Sequence, residues 1–228
     1  MSDTLDRLRA QGYRVEERWY TSDVMGFVRR ELSRPRWPLR LAFGALGLTL
    51  AYLAYRFVTD VLAGANWFSG ALVPFGCGVL AVVPIVVPHE LLHGLGFKLL
   101  GAPRVVYGAE WRLLVFHASA PGHALTPRQM DAVALAPFLV LTPGLLAWAL
   151  LAPGGWAYAG IGALLMHTQG CLGDFAMVNY FARTRDWGGE VLTFDEASGE
   201  SFVIVRRGGR PQTAAPAPPP LGGDAGAR

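Results

Sequence analysis

The apolar positions of this chain gather into long unbroken runs, not into the one-sided stripe of a soluble amphipathic helix. No charged residue occurs from 61 to 88, and none from 132 to 173. A bilayer core takes about 20 apolar residues per helix, so the pattern predicts about four transmembrane helices. They are expected at roughly 38–58 ("PLRLAFGALGLTLAYLAYRFV"), 70–100, 131–152 and 156–181. Only "APGG" separates the last two, which makes them an antiparallel helical hairpin.

The remaining segments are polar or alternate. Residues 1–36 read as a charged cytoplasmic arm with a short helix or hairpin. The loop between the second and third spans, "PRVVYGAEWRLLVF", alternates in part and predicts one or two strands at the membrane surface. Residues 183–207 contain "EVLTFDEASGESFVIVRR", two β-prone runs around a turn, and read as a cytoplasmic hairpin. The Pro/Gly/Ala-rich stretch 208–228 reads as disordered. The expected fold is thus an all-α membrane protein, its core spanning 37–182, with a small β-rich cytoplasmic loop and a C-terminal hairpin.

Composition supports the same class. Charged residues make up 16% of the 228-residue chain, against about a quarter in a soluble domain, and mean hydropathy is +0.32. The first residues lack the apolar stretch of a signal peptide, so insertion is expected to rely on the first internal helix. Basic residues fall in the N-terminal arm and its junction with the first span, in the loop carrying Lys98, Arg104, Arg112 and Arg128, and after residue 181; Arg56 alone lies elsewhere. With four spans those regions share one side, which the positive-inside rule makes the cytoplasm, with both termini there. A net charge of +3 conceals this asymmetry; it speaks for topology and against a nucleic-acid partner. The two cysteines, Cys77 and Cys171, sit in apolar runs and read as small packing residues.

The chemistry lies in "VVPIVVPHELLHGLGFKLLG". His89, Glu90 and His93 form H-E-x-x-H. At i and i+4 of a helix the two imidazoles share a face and can grip one zinc ion, while the Glu reaches the attacking water as general base. Ionisable groups in a membrane helix cost about 2.5–3.5 kcal/mol each on insertion scales and are usually functional. Pro88, just ahead of His89, predicts a kink that opens the helix to water.

A zinc catalytic site usually needs a third protein ligand. The metzincin extension fails: Gly96 matches its glycine, but Leu99 stands where its third His belongs. Asp174, the lone acidic residue from 132 to 181, is the better candidate. At 1.5 Å per residue, His93 and Asp174 fall roughly 16 and 13 Å from the basic edge marked by Arg104 and Arg183, so the two motifs share a depth. His167, two turns before Asp174, reads as a supporting group, a spare ligand or a buried His bonded to a carbonyl. His117 and His123 could orient substrate or stabilise an oxyanion, or be surface polar residues. Thr168 and Gln169 could hydrogen-bond the Asp or a substrate backbone.

On these features, together with "ASAPGH", "LAPF", the later Gly-Asp and the C-terminal hairpin, the chain resembles the putative zincin peptidase family of small bacterial membrane proteins over about residues 70–206. More distantly it is similar to the site-2 protease group of intramembrane metalloproteases. The resemblance implies His89, His93 and Asp174 as ligands to one zinc per chain and Glu90 as base. It also implies peptide hydrolysis in or beside the bacterial inner membrane, on a membrane-protein or peptide substrate. Site-2 proteases present the Asp before a Gly, whereas here the order is Leu172-Gly173-Asp174. Two rival readings use the same residues: a metal or ion transporter, and an inactive zinc-binding scaffold. A di-iron hydroxylase needs more than the five His present.

Overall fold

The computed structural model describes residues 3–20, 23–110 and 115–207. The tail expected to be disordered, 208–228, and part of the strand-rich loop, 111–114, lie outside the described residues. The described chain is mostly helical with two small sheets. Its elements are α1 (Asp3–Ala10), β1 (Arg14–Tyr20), α2 (Val24–Leu32), α3 (Trp37–Leu62), α4 (Val73–Leu80), α5 (Val82–Leu99), β2 (Val106–Glu110), β3 (Val115–Ser119), α6 (Pro127–Leu151), α7 (Trp156–Gly170), α8 (Leu172–Thr184), β4 (Glu190–Asp195) and β5 (Glu200–Arg206).

Among the described residues three helices are long and apolar enough to cross a membrane: Trp37–Leu62, Phe68–Leu99 and Pro127–Leu151. The fourth expected span is not one helix. It is divided at Cys171 into α7 and α8, of 15 and 13 residues, with Gly170 and Gly173 beside the break. The second span opens on a π-helical turn, Phe68–Leu72, and breaks again at Ala81. This second break sits one turn before Pro84, whose missing N–H and bulky ring disturb the carbonyl four residues back. Pro88, the expected kink, lies inside α5, which continues through that residue.

The helix starts follow from local chemistry. Pro38 opens α3 at a position where an N–H would be unpaired in any case. Thr126 caps α6 in a reciprocal capping box, its backbone N–H donating to Gln129 Oε1 at 2.9 Å while the Gln129 N–H donates to Thr126 Oγ1 at 3.4 Å. The surface of α3 is apolar and open, with Leu48 and Leu62 both exposed, as suits a lipid-facing helix. By contrast α7 is buried nearly all round, surrounded by α3, α4 and α6. Small residues make that possible. A Cβ at Gly78 would sit 1.9 Å from the Ala159 carbonyl oxygen, and one at Gly162 would sit 2.5 Å from that of Phe75, so α4 and α7 touch backbone to backbone.

The terminal arm and the C-terminal hairpin form one body. β1 pairs antiparallel with β5, and β5 with β4, in the order β1-β5-β4. The sheet packs Val191, Val203 and Val205 with Trp19 onto Phe27 of α2 and Tyr180 and Phe181 of α8. A bridge from Leu125 to Thr193 joins it to the entrance of α6. The second sheet is the β2–β3 hairpin, laid over α5.

Candidate metal centre

α5 places His89 and His93 one turn apart, their Nε2 atoms 3.2 Å from each other. α8 brings Asp174 to them from its first turn, where a carboxylate also suits the helix dipole. Asp174 Oδ2 lies 3.4 Å from His89 Nε2, and Oδ1 lies 3.2 Å from His93 Nε2. Zinc bonds to N and O ligands are about 2.0–2.1 Å, so the edges of a tetrahedral site come to about 3.3–3.4 Å. The three observed separations are close to that figure, the two to Asp174 ending on different oxygens of its carboxylate. A catalytic zinc site takes three such protein donors and keeps a fourth, open corner.

The His93 ring is fixed. Its Nδ1 lies 2.9 Å from the carbonyl oxygen of Val133 on α6. A carbonyl only accepts, so Nδ1 carries the proton and Nε2 presents its lone pair to the Asp174 side. α6 comes that close because Gly96 faces Val133: a Cβ there would be 3.3 Å from Val133 Cγ2.

Glu90 joins the cluster. His89, Glu90 and His93 each offer a ligand atom, and those atoms lie within 4.8 Å of one another. Glu90 Oε2 is buried without a hydrogen-bond partner. A buried carboxylate oxygen without a partner is costly, and a proton-bearing or metal-linked group in the open corner would relieve it.

The other expected residues divide. His167 is buried beside the site, its ring centroid 5.7 Å from that of His89 and nearly perpendicular to it. Its Nε2 lies 3.7 Å from Cys171 Sγ. His117, on β3, is paired with Gly108 on β2, and a Cβ at Gly108 would lie 2.6 Å from its Nε2. The His117 Nδ1 is buried without a partner. The ring lies within electrostatic reach of both Glu90 and Asp195. Burial raises the Asp195 carboxyl above its ordinary range, against the Ser201 hydroxyl, which donates to it at 2.7 Å, and against His117. His123 is a tie, its Nε2 bonded to the Leu100 carbonyl at 3.2 Å. Thr168 is occupied, donating to the Leu164 carbonyl at 2.8 Å, and Gln169 is exposed.

The sequence alone read Cys171 as packing and did not single out Val133, Gly94 or Gly108. Gly94, next to His93, admits the Tyr107 hydroxyl, which would lie 2.0 Å from a Cβ there. That contact seats the hairpin on α5, while Gly108 makes room for His117 within the hairpin. "HGLG" carried the signal: alternate glycines in a helix imply close approach from outside.

A helical chain with membrane-length apolar helices and an H-E-x-x-H face opposed by a carboxylate is similar to metallopeptidases of the zincin type. Residues 82–186 match the family model described as putative zincin peptidase, and that match spans all three helices that build the site. The family implies zinc. No curated protein and no solved structure matches the chain.

Proposed function

We propose that the protein is a membrane-embedded zinc peptidase that hydrolyses peptide bonds in or beside the bilayer, with the site-2-protease-like ligand set His89, His93 and Asp174. The three donor edges of 3.2, 3.4 and 3.2 Å carry this reading. A zinc ion held there would supply Lewis-acid polarisation of a peptide carbonyl. Glu90 takes a proton from the attacking water and returns it to the leaving amine. His117, unpartnered at Nδ1, holds a substrate oxygen. A helical substrate has its carbonyls engaged, so it unwinds before cleavage, and the β2–β3 hairpin receives it as an added strand.

The topology favours four crossings with both termini cytoplasmic. β1 precedes α3 and β5 follows α8, yet they are hydrogen-bonded neighbours. The chain therefore returns to the side on which it started, and α7 with α8 makes the fourth passage. The basic residues of the arm and tail put that side in the cytoplasm.

Metal analysis of the detergent-purified protein tests the reading. About one zinc per chain is expected, and it is lost in His93→Ala and in Asp174→Ala. Absence of metal from the wild type after zinc loading refutes it.

A further inference from the structure

The fourth passage carries more metal donors than the catalytic set uses. His167, Cys171 and Asp174 stand at i, i+4 and i+7, one face of a helix. The face is continuous across the α7–α8 break, because the Cys171 N–H donates to the His167 carbonyl at 3.0 Å and the Phe175 N–H to the Cys171 carbonyl at 2.9 Å. Asp174 goes to His89 and His93. His167 and Cys171 are left over, 2% and 0% exposed, facing the same His89.

We propose that Cys171, His167 and His89 form a second metal position for soft divalent cations, Zn2+ or Cd2+, filled after the catalytic position. One ligand atom from each of the three lies within 4.8 Å of the others. The edge from Cys171 Sγ to His167 Nε2 is 3.7 Å. A site with a sulfur bond of about 2.3 Å and nitrogen bonds of about 2.0–2.1 Å has a sulfur–nitrogen edge of about 3.6 Å. The thiolate–imidazole set selects soft ions over Mg2+ or Ca2+. On ligation the Cys171 thiol gives its proton to solvent and a metal–sulfur bond forms, with no change of oxidation state. His89 is shared, and its Nε2 already lies 3.2 Å from His93 Nε2 and 3.4 Å from Asp174 Oδ2, near the edge of a zinc site, so the first ion takes the catalytic position. A second ion draws His89 away. Inhibition by excess zinc is the consequence, and only that consequence rests on the peptidase reading.

Cobalt titration of the full-length protein in detergent tests the site. The first equivalent of Co2+ is expected to give visible d–d bands without sulfur character. Excess Co2+ is expected to add a near-ultraviolet sulfur-to-cobalt charge-transfer band. Cys171→Ser and Cys171→Ala abolish that band and keep the d–d bands; Cys77→Ser keeps both. His167→Gln weakens the second binding event by about tenfold or more. Absence of the charge-transfer band at any Co2+ level, or its survival in Cys171→Ser, overturns the proposal while the d–d bands still speak for the catalytic set. The charge-transfer band alone, without the first-equivalent signal, upholds this site and counts against the peptidase reading.

Discussion

His93 Nδ1 donates to the backbone carbonyl of Val133, 2.9 Å away on a different helix. The bond makes α6 part of the site although α6 offers no ligand. It fixes the tautomer and angle of one of the three donors. Gly96 is the spacer that lets the two helices approach. Gly96→Val should therefore push Val133 back and weaken zinc binding by about 10–100-fold, the usual effect of disturbing a ligand's support. Competition with a zinc chelator measures it, with circular dichroism as the check on folding. Unchanged affinity would show that the Val133 bond does not set the ligand.

Glu90 has two readings in the geometry, base or ligand, because its carboxylate lies within 4.8 Å of both His donors. Glu90→Gln separates them. As a base, Glu90 is dispensable for metal, so zinc content stays at the wild-type level while peptide hydrolysis in liposomes falls by about 10²–10⁴-fold. Loss of zinc from this variant would instead make Glu90 a ligand.

The candidate metal face could be proposed from the sequence because its signals are local. His89, Glu90 and His93 lie within one helical turn, and Asp174 stands alone in an apolar run. The supports were not readable, because each depends on a neighbour far along the chain. Val133 acts through its carbonyl, which carries no side-chain signature. Cys171 looked like packing until His167 and His89 were placed around it. The break between α7 and α8 was hidden for a similar reason. Apolarity extends across it, so hydropathy reads one helix where the backbone makes a turn at Cys171. The charged arm looked separate from the hairpin, since β1 meets β5 only through a pairing of opposite chain ends.

Close contact between α4 and α7 sets a stability prediction. The Ala159 carbonyl occupies the space a side chain at Gly78 would need, and the Phe75 carbonyl does the same at Gly162. Backbone cannot rotate away as a flexible side chain can. Gly78→Ala and Gly162→Ala are each expected to cost about 1–3 kcal/mol, seen as a lowered thermal midpoint in detergent. A midpoint within error of wild type would mean that the helices separate freely there.

Asp195 gives a pH dependence outside the membrane helices. Burial raises its pKa in the folded protein, so the folded state holds this proton more tightly than the unfolded chain. Its contribution to stability is then most favourable at low pH and declines as pH rises from the ordinary carboxyl value, about 4, through the raised one. Asp195→Asn keeps an oxygen for the Ser201 hydroxyl and removes the titration. The variant should gain stability over wild type above that window and show a flatter pH profile through it. Identical profiles would assign the dependence to other groups.

Asn179 joins three elements at the end of the bundle that carries the three-stranded sheet. Its Nδ2 donates to Glu31 Oε2 of α2 at 2.8 Å, and its Oδ1 accepts the Arg36 N–H, just ahead of α3, at 2.7 Å. Glu31 is 2% exposed, and Arg183 of α8 also reaches it at 3.0 Å. Asn179→Ala strips a partner from a buried carboxylate and from a backbone N–H together. A hydrogen bond to a charged group contributes about 1.5–3 kcal/mol and a neutral one about 1 kcal/mol, so a loss of about 2–4 kcal/mol is expected. Glu31→Gln in the same background removes the charge left short of a partner. The double variant should therefore be less destabilised than the sum of the two single variants, with a coupling of about 0.5–3 kcal/mol. Strict additivity would mean that Asn179 and Glu31 act separately, and that Arg183 alone holds the α2 carboxylate in place.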